Sequence, residues 1–159
     1  MPDRPRLACI VADLRLARIA LEAAAAAGAD VELWSPPGAA GDLGVGYWAA
    51  LDRAVAGLAA SALADSGRAS TVLDCGAAPG HALAALREGL RTLHVPVRAD
   101  VRADVRADVR ADVRAKLAAI AEQHGAMLHP GPPPELDLRD RFDPAASCRF
   151  ALGLPDPRS

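Results

Sequence analysis

Aromatic side chains make up only 3% of this 159-residue chain. An array of base-stacking platforms is therefore excluded as a binding mode. A basic face is missing too: 18 Lys and Arg stand against 20 Asp and Glu, for a formal net charge of −2. That balance argues against a nucleic-acid partner. The three cysteines, Cys9, Cys75 and Cys148, are scattered, and none forms a CxxC pair. With the four histidines standing apart from them, no zinc pattern exists and no metal site is expected. So sparse a set fits a reducing cytoplasm, with thiols packed as small apolar groups. No uncharged apolar run reaches the roughly 18 residues a membrane span requires. The apolar N-terminal stretch is cut by Asp13, Arg15, Arg18 and Glu22, so it does not read as an export signal.

What is present is a globular balance, 52% hydrophobic and 24% charged. "RLACIVA" (6–12) is a short apolar run and reads as a buried strand. Asp13 can cap the helix that follows, where Leu16, Ile19, Ala20, Ala23 and Ala27 share a face and Gly28 is a natural stop. "ADVELWS" (29–35) is a second strand, and "PPGAAGD" (36–42) a loop. An Ala-rich helix over 47–63 carries Leu51, Val55, Leu58 and Ala62 on one stripe. "STVLDCG" (70–76) is the third strand, and "APGHALAALREGL" (78–90) a helix with Pro79 in its first turn, where no N–H is missed. "RTLHVPV" and "AMLHP" are the fourth and fifth strands, separated by a helix that ends in "KLAAIAEQHG".

Strict strand–helix alternation implies an α/β domain over 1–130. The expected form is a small doubly wound parallel sheet of about five strands, Rossmann-like or flavodoxin-like, with helices on both faces. "STVLDCG" should lie centrally, because a strand buried on both faces reads as a continuous apolar run. Residues 131–159 are rich in Pro and charge and read as an extended surface tail, ordered in part by Leu136, Leu138, Phe142 and Phe150.

The tetrapeptide VRAD recurs four times from Val97 and continues as VRA to Ala115. As a strand it would span roughly 50 Å, far beyond the usual length. As a helix, it runs unbroken into a face made by Val113, Leu117, Ile120 and His124. The repeat (97–116) is therefore expected to extend the fourth helix into an overlong rod of about 40 Å. A period of 4 drifts about 40° per unit against 3.6 residues per turn, so no Val stripe stays on one buried side. The N-terminal half should overhang the sheet and stay exposed. Either it is a duplicated spacer, the favoured reading, or an arm for a partner or a second copy.

In such sheets ligands bind at the carboxyl ends of strands. That rule selects Ser35, Gly38 and Gly41 after the second strand, and Asp74, Cys75, Gly76, Gly80 and His81 after the third. Small-residue loops let backbone N–H groups approach an anion, and the next helix adds its positive end. Asp13 reads as a helix cap, Trp34 and Trp48 as core, and His129 as a strand end. Cys75 is either a nucleophile at a helix N-terminus, assisted by His81, or a buried thiol, the simpler explanation.

"VLDCGAAPGH" (72–81) resembles motif I of Rossmann-fold methyltransferases, in particular the rRNA 2′-O-methyltransferase form, which reads close to VLDLGAAPGG. The resemblance implies that Asp74, Gly76 and Gly80 help cradle S-adenosylmethionine, with Asp100 placed to bind its ribose. It covers about ten residues. Two β-α units precede the motif here, and Lys116 is the only lysine, so the family's lysine-centred catalytic set has no counterpart. Three functional readings follow. The first is a cytoplasmic protein binding a small anionic or nucleotide-like ligand, the second a divergent methyltransferase, and the third a self-association module using a sheet edge or the long helix.

Overall fold

A computed structural model describes residues 3–96 and 104–157, with residues 104–110 described by their backbone alone. The strands are β1 (Arg6–Ile10), β2 (Asp30–Trp34), β3 (Ala69–Asp74), β4 (Thr92–His94) and β5 (Met127–Leu128). The helices are α1 (Leu14–Ala27), α2 (Val45–Ala62), α3 (Pro79–Arg87), α4 (Asp104–Gln123) and α5 (Pro144–Ala151). The strands form one sheet in the order β1-β2-β3-β4-β5, and its pairings are parallel, the α/β class that the alternation implies. β3 is central, and Val72 and Leu73 within it are fully buried. The order follows the chain without doubling back, so no reversal marks a ligand crevice as it does in Rossmann-like and flavodoxin-like sheets. A site has to be found from side chains and loops.

The residues pack as two compact units. The first takes in the chain up to Pro36, Ala50–Thr71 and the segment from Pro132 on. Here β1 and β2 pair from Arg6↔Asp30 to Ile10↔Trp34. Alternation sends Leu7, Cys9, Val31 and Leu33 to one face, all buried. On the other face, the Glu32 carboxylate accepts from Arg6 and from the Trp34 indole N–H at 2.7 Å, which satisfies a buried carboxylate. Asp13 caps α1 as expected, accepting from Leu16 N at 2.9 Å, and Gly28 ends it in the left-handed conformation. The buried face of α1 is Leu16, Ala17, Ala20, Leu21, Ala23 and Ala24; Ile19 and Ala27 are only half-buried. Gly67 is required by close approach: a Cβ there would sit 2.2 Å from the Ala29 carbonyl oxygen.

The segment read as an extended tail is more structured than its composition implies. Ile10 N donates to Leu136 O at 2.8 Å, and Ile10 bridges Asp137 in parallel, so the chain returns along the edge of β1 away from β2. Asp143 then caps α5, accepting from Ala146 N at 2.9 Å, with Pro144 in the first turn. α5 packs on α1 and buries Cys148. Leu138 is buried, but Phe142 and Phe150 are exposed and do not anchor the segment among the described residues.

The second unit comprises Pro37–Ala49 and Val72–Gly131. Its strands pair as Leu73↔Leu93, Asp74↔His94, Thr92↔Met127 and Leu93↔Leu128. α3 buries Ala82, Ala85 and Leu86, with Leu90 buried just beyond its end and Leu83 half-buried. α4 packs on α3 and β5. The repeat is helical and continuous with "KLAAIAEQHG" from Asp104 on; Val97–Ala103 lie outside the described residues. Ala111, Asp112, Ala115 and Lys116 are exposed, and among the described side chains of α4 the buried ones are Leu117 and Ala121. His124, expected on the packed face, is exposed. At 20 residues α4 is about 30 Å long.

Candidate functional site

Asp74, in the second unit, is the last residue of β3 and is buried, with its side chain 6% exposed. One oxygen, Oδ1, accepts from Gly76 N at 2.9 Å and from Gly38 N at 3.0 Å. The other, Oδ2, lies 2.8 Å from Nδ1 of His94, the last residue of β4. An ionised carboxylate only accepts, so Nδ1 carries the proton and donates. Three groups from three segments therefore meet on one buried side chain. Burial is the strongest influence on Asp74 and opposes ionisation. The hydrogen bonds from His94, Gly38 and Gly76 together outweigh it and hold the carboxyl below its ordinary value of 3.8.

The glycines are used for their backbone. Gly38 (φ +69°) and Gly76 (φ +60°) both take the left-handed conformation, and a Cβ on Gly76 would meet Gly38 Cα at 3.7 Å. Gly41 lies against His81, whose Cε1 would be 3.1 Å from a Cβ at that position. Gly38 and the π-helical turn Ala40–Gly44, which holds Gly41, thus converge with the Gly76–His81 turn, so the segment expected as a loop over 36–42 is helical from Ala40 on. Gly80 faces open space, with nothing within 4 Å of its Cβ position. α3 begins there without a side-chain cap, because Ala78 has no acceptor to give and Pro79 has no N–H. His81 is half-buried, and its N–H donates to Ala78 O at 3.1 Å.

Ser35 does not add to this geometry. It belongs to the first unit, is buried, and its hydroxyl donates to Pro36 O at 3.1 Å. Cys75 is buried, with Sγ 3.7 Å from Leu73 O. Burial first, and the Asp74 charge second, push its thiol up to about 12. It is protonated at neutral pH and packs as a small apolar group, which removes the nucleophile option. His129 ends β5 as a local structural group, its Nδ1 accepting from Gly131 N at 3.1 Å. Trp34 and Trp48 are both fully buried. Asp100 lies outside the described residues. Among the described residues no group of three or more His, Cys, Asp or Glu is placed to hold a metal ion.

His94 is the group that sequence reasoning passed over. In "RTLHVPV" it is one polar residue at the end of an apolar run. Its meaning comes from β3 and β4 being neighbours in register, Asp74 beside His94. An acid and a histidine ending consecutive strand candidates was the available signal.

The residues test how S-adenosylmethionine would be held. The Asp74 carboxylate is committed to the two glycine loops and His94. The ligand would be gripped by the backbone of Gly38, Gly76 and Gly80. No family model matches the sequence, and no curated protein matches it.

Proposed function

We propose that the second unit binds a small anionic or nucleotide-like molecule at the start of α3, between the Gly38–Gly41 segment and the Gly76–His81 turn. The observation that carries this is the Asp74 clamp, which brings two glycine loops together beside a helix start that has no side-chain cap. In the first turn of this nine-residue helix Pro79 has no N–H and the His81 N–H is bonded to Ala78 O, so the helix offers the Gly80 N–H and the positive end of its dipole. His81 supplies an imidazole next to Gly41 for a second contact. Asp42, whose Oδ2 lies 3.9 Å from the Cβ position of Gly38, favours a ligand that also offers hydrogen-bond donors, such as a ribose or sugar hydroxyl. The ligand is a small molecule, and binding alone, without catalysis, accounts for the geometry.

S-adenosylmethionine is the alternative ligand, supported by the likeness of residues 72–81 to motif I. Thermal-shift measurements with inorganic phosphate, adenosine monophosphate, a sugar phosphate and S-adenosylmethionine separate the readings. A ligand at 100 times its Kd stabilises by about 2.7 kcal/mol. The decisive variant is Gly80→Asp. Open space accepts the side chain, and an acid in the first turn favours the helix, so the fold is kept. The same charge repels an anion. Loss of the ligand-induced shift in a variant of unchanged or higher Tm is the expected result. A shift equal to wild type would place the ligand elsewhere, and no shift with any of the four would remove the anion-binding reading.

A further inference from the structure

The first unit carries a groove of about 240 Å³ between α1 and α2. Arg18, Leu21 and Glu22 line it from α1, and Leu58, Ser61 and Ala62 from α2. Both sets are spaced i, i+3, i+4, so each is one face of its helix. Leu21 is the buried floor, Leu58 is half-buried, and Ser61 and Ala62 are exposed. Arg18 and Glu22 stand exposed on the α1 rim, and neither is in an ion pair among the described residues. The α2 side adds no charge. From Ala54 to Ala62 that helix has no ionisable residue, although Ala56, Gly57, Ala60, Ser61 and Ala62 are exposed. A helix whose outer side meets only water carries its charges there.

We propose that this groove docks a second copy of the chain, in a twofold dimer with α1 of the two copies antiparallel. The charges select that occupant. Arg18 and Glu22 lie one turn apart on α1 and have opposite signs. A partner of a single charge sign, acidic or basic, gains at one of them and loses at the other. A twofold axis that passes between them, perpendicular to α1, brings Arg18 of each copy to Glu22 of the other. Both pairs then form, and the contact is isologous. The long Arg18 stem covers apolar ground on the way, lying over Leu58 and Ala62 of the other copy while its guanidinium reaches Glu22. Every residue of this surface belongs to the first unit, and none lies in a strand or in the VRAD repeat.

Exposed ion pairs contribute little each, and salt screens them. The reciprocal pairing therefore fixes orientation more than affinity, and the dimer is weak and concentration-dependent. Reversing one sign acts more strongly than removing one charge, because the twofold turns two attractions into two repulsions. Arg18→Glu and Glu22→Arg should each weaken the dimer on the order of tenfold. The two variants are complementary to each other. One presents two acids on the rim and the other two bases, so a mixture restores both pairs in a heterodimer.

Sedimentation velocity of the full chain in reducing buffer, over a rising concentration series, reads the dimer. Wild type should pass from monomer to dimer, and added salt should move that passage to higher concentration. Each single variant should stay monomeric where wild type is dimeric. Their equimolar mixture should dimerise, with native mass spectrometry identifying the heterodimer, and the double variant Arg18→Glu/Glu22→Arg should dimerise like wild type. Ala62→Glu, which puts a charge in the groove and leaves the rim intact, should block the dimer. All three positions are exposed, so each variant should keep wild-type helix content by circular dichroism. Wild type that is monomeric at every concentration would give the groove to another occupant and overturn the proposal. Single variants that dimerise as well as wild type, or that stay apart when mixed, would overturn it too. Undiminished dimerisation of Ala62→Glu would move the contact off the groove.

Discussion

Replacing Asp74 by alanine tests the claim that this carboxylate organises the second unit. Three donors lose their acceptor at once: Gly38 N, Gly76 N and His94 Nδ1. Each bond to a charged acceptor contributes about 1.5–3 kcal/mol, and each buried donor left unpaired costs about 1–3 kcal/mol. These terms overlap, because a vacated site admits water and the loops relax. Three buried donors left without their acceptor make a loss of about 3–5 kcal/mol the expected result for Asp74→Ala. Asp74→Asn is the informative companion. Its amide oxygen still accepts from both glycines, but its NH₂ meets Nδ1, so the imidazole has to adopt the other tautomer. A loss of about 0.5–1.5 kcal/mol is expected, the range of one neutral hydrogen bond.

The two variants also separate by pH. The folded protein holds the Asp74 carboxyl below its ordinary value, so ionised Asp74 stabilises the fold. That stability is fully present above the unfolded-state value near 3.9, and it is lost as pH falls through the lower folded value. Wild type should therefore lose stability on acidification below about pH 4, and the loss from this source should vanish in Asp74→Ala. Urea unfolding followed by circular dichroism from pH 7 to pH 3 measures both effects. Amide exchange at Gly38 and Gly76 reads the loops directly. If Asp74→Ala stays within about 1 kcal/mol of wild type at pH 7, the range of an ordinary surface change, with both amides still protected, the clamp is refuted.

Gly67→Ala should destabilise the protein by about 1–3 kcal/mol, as overpacking does, because its Cβ would lie 2.2 Å from a backbone oxygen that cannot turn aside; urea titration checks it. Cys75, with its thiol pushed up to about 12, should resist iodoacetamide at pH 8 in the folded protein and react fully in denaturant, as mass spectrometry of the peptide would show. Deleting two VRAD units should change stability by less than about 1 kcal/mol, because Ala111, Asp112, Ala115 and Lys116 are exposed and the first buried side chain among those described in α4 is Leu117. A large drop in Tm on deletion, or a change of oligomer on sizing, would show that the repeat makes contacts of its own.

Much of the fold was legible because its signals are local. Asp13 before an apolar period and Gly28 after it marked both ends of α1, and the side-chain bond and left-handed φ are what those residue types provide. The continuous apolar run in "STVLDCG" puts Val72 and Leu73 in the middle of the sheet for the same kind of reason. What stayed hidden depends on which strands become neighbours. Sequence order says nothing of Ile10 meeting Asp137, so the Pro-rich end reads as a tail, although Cys148 within it is buried as a small apolar group, as its type implies. Phe142 and Phe150 read as anchors on hydrophobicity alone, yet the chain turns them outward. Trp48 shows the limit from the other side. Core burial was readable, but not that its indole N–H finds no hydrogen-bond partner among the described residues.

The candidate site divides along the same line. Gly38, Gly41, Gly76 and His81 were selected because each follows a strand, and loops after parallel neighbouring strands do share an edge. The role given to Asp74 came from a motif, in which an acid after a strand faces the cofactor. Here the acid is 4% exposed and faces inward, where Gly38, Gly76 and His94 already use both its oxygens. A carboxylate spent this way cannot also grip a ligand without releasing a loop. It can fix the loops in advance, so that a ligand meets backbone already in place and binding spends less on ordering. Asp74 therefore acts on any ligand through Gly38 and Gly76. Its substitution should weaken every ligand of the site alike, whereas Gly80→Asp should discriminate by charge.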